Sequence, residues 1–412
     1  MSMLWAKRGW ASPGSQFLRA VEQLGATDAW DFVDGVYVRS GRAMPDPGLT
    51  VTRASSGYAE TSDGRLVSFA SGVARRTDKG LLIEGARTNL LLRSQEFDDA
   101  AWFQASATPT ENAALAPDGT LTANSIVKSN NFGNVRQQVA ITANATFTFS
   151  VYVKAGTATN GSIGVFENSL GTLLSRASVN LSTGAVANDV GTTNAQSVGN
   201  GWWRVSTTVT TTTASNVAAA LYPSVASDNN AGTTLFWGAQ LEAGNFASSY
   251  IKTEGSTGTR AADLIVVNQT GPTYPITLYA EINGATPNGE PLPRFLQWEA
   301  GTGARIELVN ADPTLTTDRT YAYVGLGGEI DAAVVSGLSG RKKVAAKIES
   351  GALRLSGNGG AVASGTATGT APTGDLYFGN RTDGARSVFD YLRRVAIFPS
   401  AFTDAQLQAI TS

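Results

Sequence analysis

The chain has 412 residues, 45 of them glycine, and contains neither cysteine nor histidine. The missing cysteines exclude disulfides and cysteine-ligated zinc, and the missing histidines exclude Ser-His-Asp catalysis and imidazole acid–base chemistry. Lys and Arg number 31 against 33 Asp and Glu, so the chain lacks the basic excess of a nucleic-acid-binding protein. Only 16% of residues are charged, which favours an extracellular or particle-bound β protein with a surface of Ser, Thr, Asn and Gly.

Membrane insertion and secretion signals are not expected from the sequence. No apolar run approaches the roughly 20 residues that span a bilayer. Lys7 and Arg8 near the start are not followed by an apolar block, so no secretory signal is predicted. The length predicts two to three domains at about 150 residues each.

Residues 1–40 are expected to be an N-terminal segment with one helix. Apolar residues recur at helical spacing at Phe17, Leu18, Val21 and Leu24. Gly25 is a suitable residue to follow the end of this helix. Two interpretations stay open: the helix packs on its own domain, or it docks on another subunit. We expect an attachment region that contacts other subunits.

Residues 41–92 form a turn-rich connector that leads into the first expected domain. It ends with the apolar block of residues 80–92, which predicts a buried strand. Arg87 and Asn89 lie inside this block. Because both side chains carry donors in fixed geometry, we expect them to fix neighbouring backbone.

Residues 93–254 are rich in Thr, Ser, Asn and Ala and contain stretches in which apolar and polar side chains alternate. The alternation is clearest in residues 146–154 and 203–210. A period of two with β-branched and aromatic residues predicts half-buried strands. Many short strands between turns favour a sandwich or jelly roll.

Residues 255–412 begin with a Gly/Ser/Thr linker and continue as a second β series. The series ends with a strand over residues 392–398 and a short helix capped by Thr403. The predicted fold class is therefore all-β, with two antiparallel β-sandwich (jelly-roll or lectin-like) domains after the N-terminal segment.

Several segments of the chain together resemble parts of known virion proteins. They are GLLIEGARTNLLLRSQEFDDAAW (residues 80–102), FWGAQLEAGNFASSYIKTEGSTGTRAAD (236–263), the strands FSVYVKAG and GWWRVSTTVT between them, and FDYLRRVAIFPSAFTDAQLQAI (389–410). The chain resembles fibre or spike proteins of tailed phages and gene-transfer agents. The resemblance implies a carbohydrate-binding-module-like jelly roll, a C-terminal laminin-G/concanavalin-like sandwich and a role in host attachment.

Candidate sugar contacts in the first domain are aromatic residues with nearby amides. Adjacent strand residues point to opposite faces, so Trp203, in phase with Val205, is expected in the core and Trp202 is expected to be exposed. Phe132 lies in a polar loop with Asn131 and Asn134, which predicts either a ligand loop or an ordinary turn.

In the second domain, Asn380, Arg381 and Asp383 lie in one loop. They offer an amide, a guanidinium and a carboxylate that could bind sugar or Ca²⁺, or form an ordinary Asp-Gly turn. We expect no other cofactor and no other metal.

Paired carboxylates would be needed for a glycosidase. The candidates are Glu96 with Asp98 and Asp99, Asp312 with Asp318, and Glu329 with Asp331. Nothing in the sequence places these groups in a cleft, so an enzyme is not expected.

The sequence therefore favours a fibre, spike or tail-associated adhesion protein on the virion surface that binds glycans of the host cell. We expect a homo-oligomer, with a trimer as one option, held partly by residues 1–40. The alternatives are a purely structural decoration or baseplate protein and, less favoured, a polysaccharide-degrading enzyme.

Overall fold

Strands account for about half of the described residues, as the period-two pattern predicts. The structure is a computed structural model. It describes residues 15–167, 171–212, 216–229, 232–269, 271–284, 293–299, 305–310, 319–326, 329–336, 338, 340–367 and 371–412. Every strand pair within these ranges is antiparallel, which confirms the all-β fold class.

The elements follow one another in three groups along the chain. The first group is α1 (Gln16–Gln23), β1 (Asp28–Asp31), β2 (Val36–Arg39), β3 (Arg42–Met44), β4 (Thr50–Thr52), β5 (Gly57–Glu60), β6 (Leu66–Phe69), β7 (Arg76–Thr77), β8 (Gly80–Ile83) and β9 (Arg87–Asn89). The second is β10 (Phe103–Ala105), β11 (Ala107–Ala114), β12 (Ala123–Lys128), β13 (Asn134–Ala140), β14 (Thr146–Ala155), β15 (Asn160–Glu167), β16 (Thr172–Asn180), β17 (Val186–Val190), β18 (Thr193–Ser197), β19 (Trp202–Thr210), β20 (Asn216–Pro223), β21 (Thr234–Ala243) and β22 (Gly258–Arg260). The third is β23 (Leu264–Val267), β24 (Ile276–Ile282), β25 (Arg294–Glu299), β26 (Arg305–Asn310), β27 (Arg319–Leu326), β28 (Glu329–Ser336), β29 (Lys342–Glu349), β30 (Ala352–Gly357), β31 (Ala363–Gly365), β32 (Asp375–Phe378), β33 (Asp390–Phe398) and α2 (Asp404–Thr411).

The chain divides into two compact units. Unit 1 is built from the described residues within Met1–Arg53, Gly72–Gly85 and Ala262–Ser412. Unit 2 is built from those within Ala54–Ser71 and Ala86–Ala261. The chain therefore passes between the units four times.

Unit 2 is a sandwich of two sheets. Within the described residues, one sheet has the strand order β10-β13-β20-β15-β16-β17 and the other β11-β12-β21-β14-β19-β18. Alternate residues of both sheets, among them Phe149, Val205 and Leu221, form the core between them.

Unit 1 is also a sandwich. In the described part of the chain, one sheet runs β3-β2-β1-β33-β24-β29-β30-β31 with β7 and β8 attached, and the other runs β28-β27-β26-β25-β32-β23-β4. Trp30, Phe295 and Phe378 are among the fully buried residues of the core that both sheets supply.

Both described helices pack on the outer face of the larger sheet of unit 1. Leu18 and Val21 of α1 and Leu407 of α2 share one buried cluster with Tyr279. Ser15 and Thr403 cap the two helices through their hydroxyl oxygens, so both sequence-predicted helices are confirmed. Neither helix is long and apolar enough to cross a bilayer.

The boundaries of the two units differ from the domain boundaries expected at residues 40, 92 and 254. In the described part of residues 1–40, α1, β1 and β2 belong to unit 1, and β1 pairs with β33 near the opposite end of the chain. The stretch expected as a connector is shared between both units. Local periodicity predicts each strand but not a partner more than 360 residues away, which is why the sequence places the boundaries elsewhere.

A buried network of four charges lies where the chain enters and leaves unit 1. The Arg53 guanidinium pairs with Asp263 at 2.8 Å, and Arg75 pairs with Glu84 at 2.7 Å and with the other oxygen of Asp263. The four side chains are almost completely buried. Burial by itself would lower the pKa of Arg75, but the charges of Asp263 and Glu84 raise it above its ordinary value.

The two long resembling segments meet at this point. In unit 1, the Asp263 N–H donates to the Glu84 carbonyl at 2.9 Å. In unit 2, Arg87–Asn89 pairs with Gly258–Arg260. The two ends of the larger piece of unit 2 are therefore held side by side, as in an inserted domain.

The Asn89 side chain forms hydrogen bonds with the backbone of three segments of unit 2. Its amide nitrogen donates to the carbonyls of Ala239 and Ile251 at 3.0 and 2.9 Å, and its oxygen accepts from Leu91 and Leu241. The prediction that this side chain orders neighbouring backbone is confirmed.

We predict that Asp263→Ala lowers the free energy of unfolding of unit 1 by about 3–5 kcal/mol, because two buried guanidinium groups lose their shared partner. Denaturant unfolding followed by tryptophan fluorescence measures this change. Asp383→Ala is the matched control: it breaks the half-exposed Arg381–Asp383 pair of the same unit and costs about 0–1 kcal/mol. Equal unfolding midpoints for the two variants would contradict the role given to the network.

Candidate ligand-binding face

The outer face of the sheet β10-β13-β20-β15-β16-β17 carries an unusual set of side chains. On β13, Val135 and Val139 point to the core, so Asn134, Arg136 and Gln138 point outward. The same alternation places Phe103 of β10 and Arg176 of β16 on the outer face, because both belong to the register row of Arg136. We call this surface the phenylalanine–arginine face.

The middle of this row is made of small residues. The register runs Phe103–Arg136–Ala220–Gly164–Arg176 across five strands. Strands lie about 4.8 Å apart, so the two arginine backbones are separated by about 14 Å over a floor of alanine and glycine. Ala220 is fully buried in a small cluster with Tyr222, against which Phe166 packs.

The rings of Tyr222 and Phe166 pack over Gly164. A Cβ atom at this glycine would lie 3.2 Å from the Tyr222 ring and 3.4 Å from the Phe166 ring, so the position favours the absence of a side chain. Burial raises the pKa of Tyr222 to about 12. At neutral pH this side chain is an uncharged phenol that does not neutralise either arginine.

Each arginine of the face stacks on a phenylalanine. The Arg136 Cζ atom lies 4.4 Å from the centre of the Phe103 ring, and the Arg176 Cζ atom lies 5.1 Å from that of Phe132. Phe103 is 59% exposed and Phe132 43% exposed. Among the described residues, these are the aromatic side chains that count as exposed, and both lie on this face.

A shallow open depression of about 490 Å³ lies beside Arg136. Its lining residues are Ala100, Ala101, Trp102, Phe103, Gln104, Arg136 and Gln138. The lining combines a phenyl ring, two amides and a guanidinium. These are groups that contact the apolar face and the hydroxyl groups of a sugar.

The loop predicted from Phe132, Asn131 and Asn134 divides into exposed and buried parts. Phe132 and Asn131 are exposed, whereas Asn134 is buried and its amide donates to the Phe132 carbonyl at 2.8 Å. Phe132 has a φ of +58°, in the left-handed region, and its ring lies against the Arg176 guanidinium. Phe132 and Asn131 are therefore available to a ligand, and Asn134 orders the loop.

Trp202 is not exposed, contrary to the expectation. It is 2% exposed and belongs to an aromatic cluster with Tyr152, Trp237 and Tyr250. Trp203 is half-buried at the edge of the core, and its indole nitrogen donates to the Leu181 carbonyl at 2.8 Å.

Trp202 is buried because the face of β19 that points away from the core is also covered by other residues. The alternation puts Trp202 on the face of β19 that points away from the core, as the sequence predicts. That face is covered by residues from the β5–β6 hairpin, including Tyr58 and Leu66, which lie more than 130 residues earlier in the chain. Both faces of this strand are therefore buried at Trp202.

The three candidates Asn380, Arg381 and Asp383 belong to unit 1, whereas the aromatic candidates belong to unit 2. Asn380 is fully buried and its amide donates to the Asp263 carbonyl. Asp383 pairs with Arg381 at 2.9 Å and accepts the Ala385 N–H, which is the geometry of an ordinary turn. Sugar or Ca²⁺ binding at this turn stays a prediction.

Two of the carboxylates considered for hydrolysis are held in ion pairs. Arg93 pairs with Glu96 at 2.8 Å and with Asp99 at 3.3 Å. Asp312 and Asp318 lie outside the described residues, as do the side chains of Glu329 and Asp331.

Comparisons with known proteins give no family assignment. No family model matches the chain, and no curated protein matches it. Similar solved structures include a carbohydrate-binding module of the Ruminococcus gnavus IT-sialidase bound to α2,6-sialyllactose (10% identity, 36% of this chain and 96% of that chain, TM-score 0.28) and mouse laminin α1 domains LG4-5 (10% identity, 77% and 88%, TM-score 0.23). A tailspike of the Escherichia coli O157:H7 bacteriophage CAB120 is also similar (18% identity, 36% and 21%, TM-score 0.18). These TM-scores are low, so the architecture rests on the sheets and cores of the chain itself.

Sequence reasoning missed Phe103 and Arg136. Trp102 and Phe103 are adjacent aromatic residues, and the rule applied to Trp202 and Trp203 also predicts that one of this pair points outward. Trp102 is buried in the core and Phe103 is exposed. The sequence could therefore have predicted that Phe103 is exposed. It could not have predicted that Arg136 lies beside it, because the pairing of β10 with β13 is a tertiary contact.

We predict that Trp202→Ala lowers the free energy of unfolding by about 3–5 kcal/mol, because the change leaves a cavity in a buried aromatic cluster. Denaturant unfolding measures this loss. Leu121→Ala, at a side chain that is 56% exposed in the same unit, is the control and changes the free energy by about 0.5 kcal/mol or less. Unchanged stability together with weaker glycan binding would restore Trp202 as a ligand contact.

Proposed function

We propose that the protein is a lectin-like adhesion protein that binds cell-surface glycans through the phenylalanine–arginine face. The observation that carries this proposal is that the two exposed phenylalanines share one sheet face with two arginines and several amides. Exposure of an aromatic ring to water is unfavourable, so a sugar that covers the ring gains binding free energy from the contact. The same face offers donors and acceptors for sugar hydroxyls through Gln138 and Asn131.

We place this adhesion protein on a phage-type virion, as a fibre, spike or tail-associated subunit. The resemblance of residues 80–102 and 236–263 to such proteins supports this part of the proposal. One shallow site binds weakly, whereas a particle that displays many copies raises the effective concentration. We therefore propose a homo-oligomer, which light scattering on the purified chain checks.

A short deletion tests whether residues 1–40 attach the protein to other virion subunits. Within this range, β1 pairs with β33, so removal of the whole range would also remove strands of unit 1. Deletion of residues 1–14 alone leaves the described fold complete. Normal incorporation of this shorter chain into particles would argue against attachment through the removed residues.

We also propose that the protein binds glycans without cleaving them. The ion pairs of Glu96 and Asp99 with Arg93 support a structural role for these two carboxylates. Release of reducing ends from host polysaccharide by the purified protein would contradict this part.

We predict that the purified protein binds a subset of glycans on an array and that Phe103→Ala weakens this binding about tenfold, because the contact with the ring is lost. Leu121→Ala serves as the control: it removes an exposed apolar side chain of unit 2 outside the face and leaves binding unchanged. The proposal fails if no glycan or host cell is bound at high multivalency. It also fails if Phe103→Ala binds like the unaltered protein.

A further inference from the structure

The two arginines of the phenylalanine–arginine face differ in how their charge is balanced. The Arg176 Nε atom donates to Asp189 Oδ2 at 2.7 Å, so this guanidinium is paired with a carboxylate. The Arg136 Nη1 atom donates to the neutral amide oxygen of Asn134 at 3.1 Å. The face thus contains two similar stacks, of which one is charge-balanced and one is not.

Arg136 has no carboxylate partner within the part of the chain that the structure describes. Tyr222, the ionisable neighbour that favours its charged form, is a neutral phenol at neutral pH. The Arg136 side chain is half-buried, and this burial lowers the pKa of its guanidinium. A partly dehydrated cation without a counter-charge is a favourable partner for an anion.

The orientation of Arg136 leaves its guanidinium open to a ligand. The guanidinium lies over the Phe103 ring at 4.4 Å, and the bond to Asn134 occupies one of its nitrogens. The guanidinium also lines the open depression, together with the amides of Gln104 and Gln138. A planar fork of N–H donors held in this way matches the two oxygens of a carboxylate.

We propose that the glycan bound by this face is acidic and that its anionic substituent binds the guanidinium of Arg136. The sugar that carries the substituent lies in the depression, where Phe103 contacts its apolar face and Gln138 bonds its hydroxyl groups. This inference rests on the proposed function and adds the chemical class of the ligand. A uronic acid fits best, because its carboxylate offers two oxygens in one plane. A sulfate ester is also negatively charged but lacks this planar pair of oxygens.

The test compares matched oligosaccharides by isothermal titration calorimetry on the full chain. The probes are hexasaccharides of glucuronic, galacturonic and mannuronic acid, the same sugars with their carboxyl groups reduced to alcohols, and sulfated forms of the reduced sugars. We expect at least one acidic probe to bind about tenfold or more tightly than its reduced form, since a charged hydrogen-bonded pair is lost on reduction. The sulfated arm shows whether a carboxylate is required or any anion suffices.

Variants at position 136 separate charge from geometry. Arg136→Gln removes the preference for the acidic probe, and Arg136→Lys retains only part of it, because a point charge replaces the fork. Arg65→Gln is the matched control, since Arg65 is an exposed arginine of unit 2 outside the face, and it keeps the preference. Thermal unfolding of each variant shows that the fold is retained.

The outcomes distinguish the two proposals. Equal affinity for acidic and reduced probes, or an acid preference that survives in Arg136→Gln, overturns the assignment to Arg136 and leaves glycan binding intact. Absence of binding to every probe in this panel and on the glycan array removes both. Binding that prefers the acid and depends on Arg136 supports both.

Discussion

The buried charge network of unit 1 is the constraint on which the arrangement of the chain depends. Arg53, Arg75, Glu84 and Asp263 lie within three residues of the four points at which the chain passes between the units. Two positive and two negative groups balance each other, and none has access to water as an alternative partner. Removal of one member leaves an uncompensated buried charge, which is among the costliest single changes a fold can suffer.

The two long segments, residues 80–102 and 236–263, meet at this network. Glu84 lies in the first segment and Asp263 closes the second. Asn89 and the strand pairing of β9 with β22 continue the connection within unit 2. The residues that make the segments recognisable therefore hold the ends of an inserted sandwich together. These residues are structural, and the proposed ligand-binding face is formed by other residues of unit 2, on the outer face of a sheet.

The sequence predicts what local patterns determine. The strands of residues 146–154 and 203–210, the helices that begin after Ser15 and Thr403, and the backbone-ordering role of Asn89 all follow from spacing and side-chain chemistry. Its errors have one cause, which is contact between segments distant in the chain. The pairing of β1 with β33 and the covering of Trp202 by the β5–β6 hairpin cannot be predicted from periodicity, because each side alone is consistent with several partners.

The candidate site also combines features that the sequence predicts with features that depend on tertiary contacts. The exposure of Phe132 follows from its polar loop, and that of Phe103 could have followed from its place after Trp102. The stacking of Arg136 on Phe103 requires the tertiary pairing of β10 with β13. The contrast between Arg136 and the aspartate-paired Arg176, on which the proposed preference for an acidic ligand rests, also appears only in three dimensions.

Methyl NMR of protein labelled selectively at alanine tests the central claim most directly. Ala100 and Ala101 line the depression, and Ala220 lies beside Arg136 in the register row, whereas the neighbouring Ala219 points into the core. On titration with an acidic hexasaccharide, we expect the methyl signals of Ala100, Ala101 and Ala220 to shift and that of Ala219 to stay in place. Saturable shifts confined to alanines of unit 1, such as Ala345, would contradict the account.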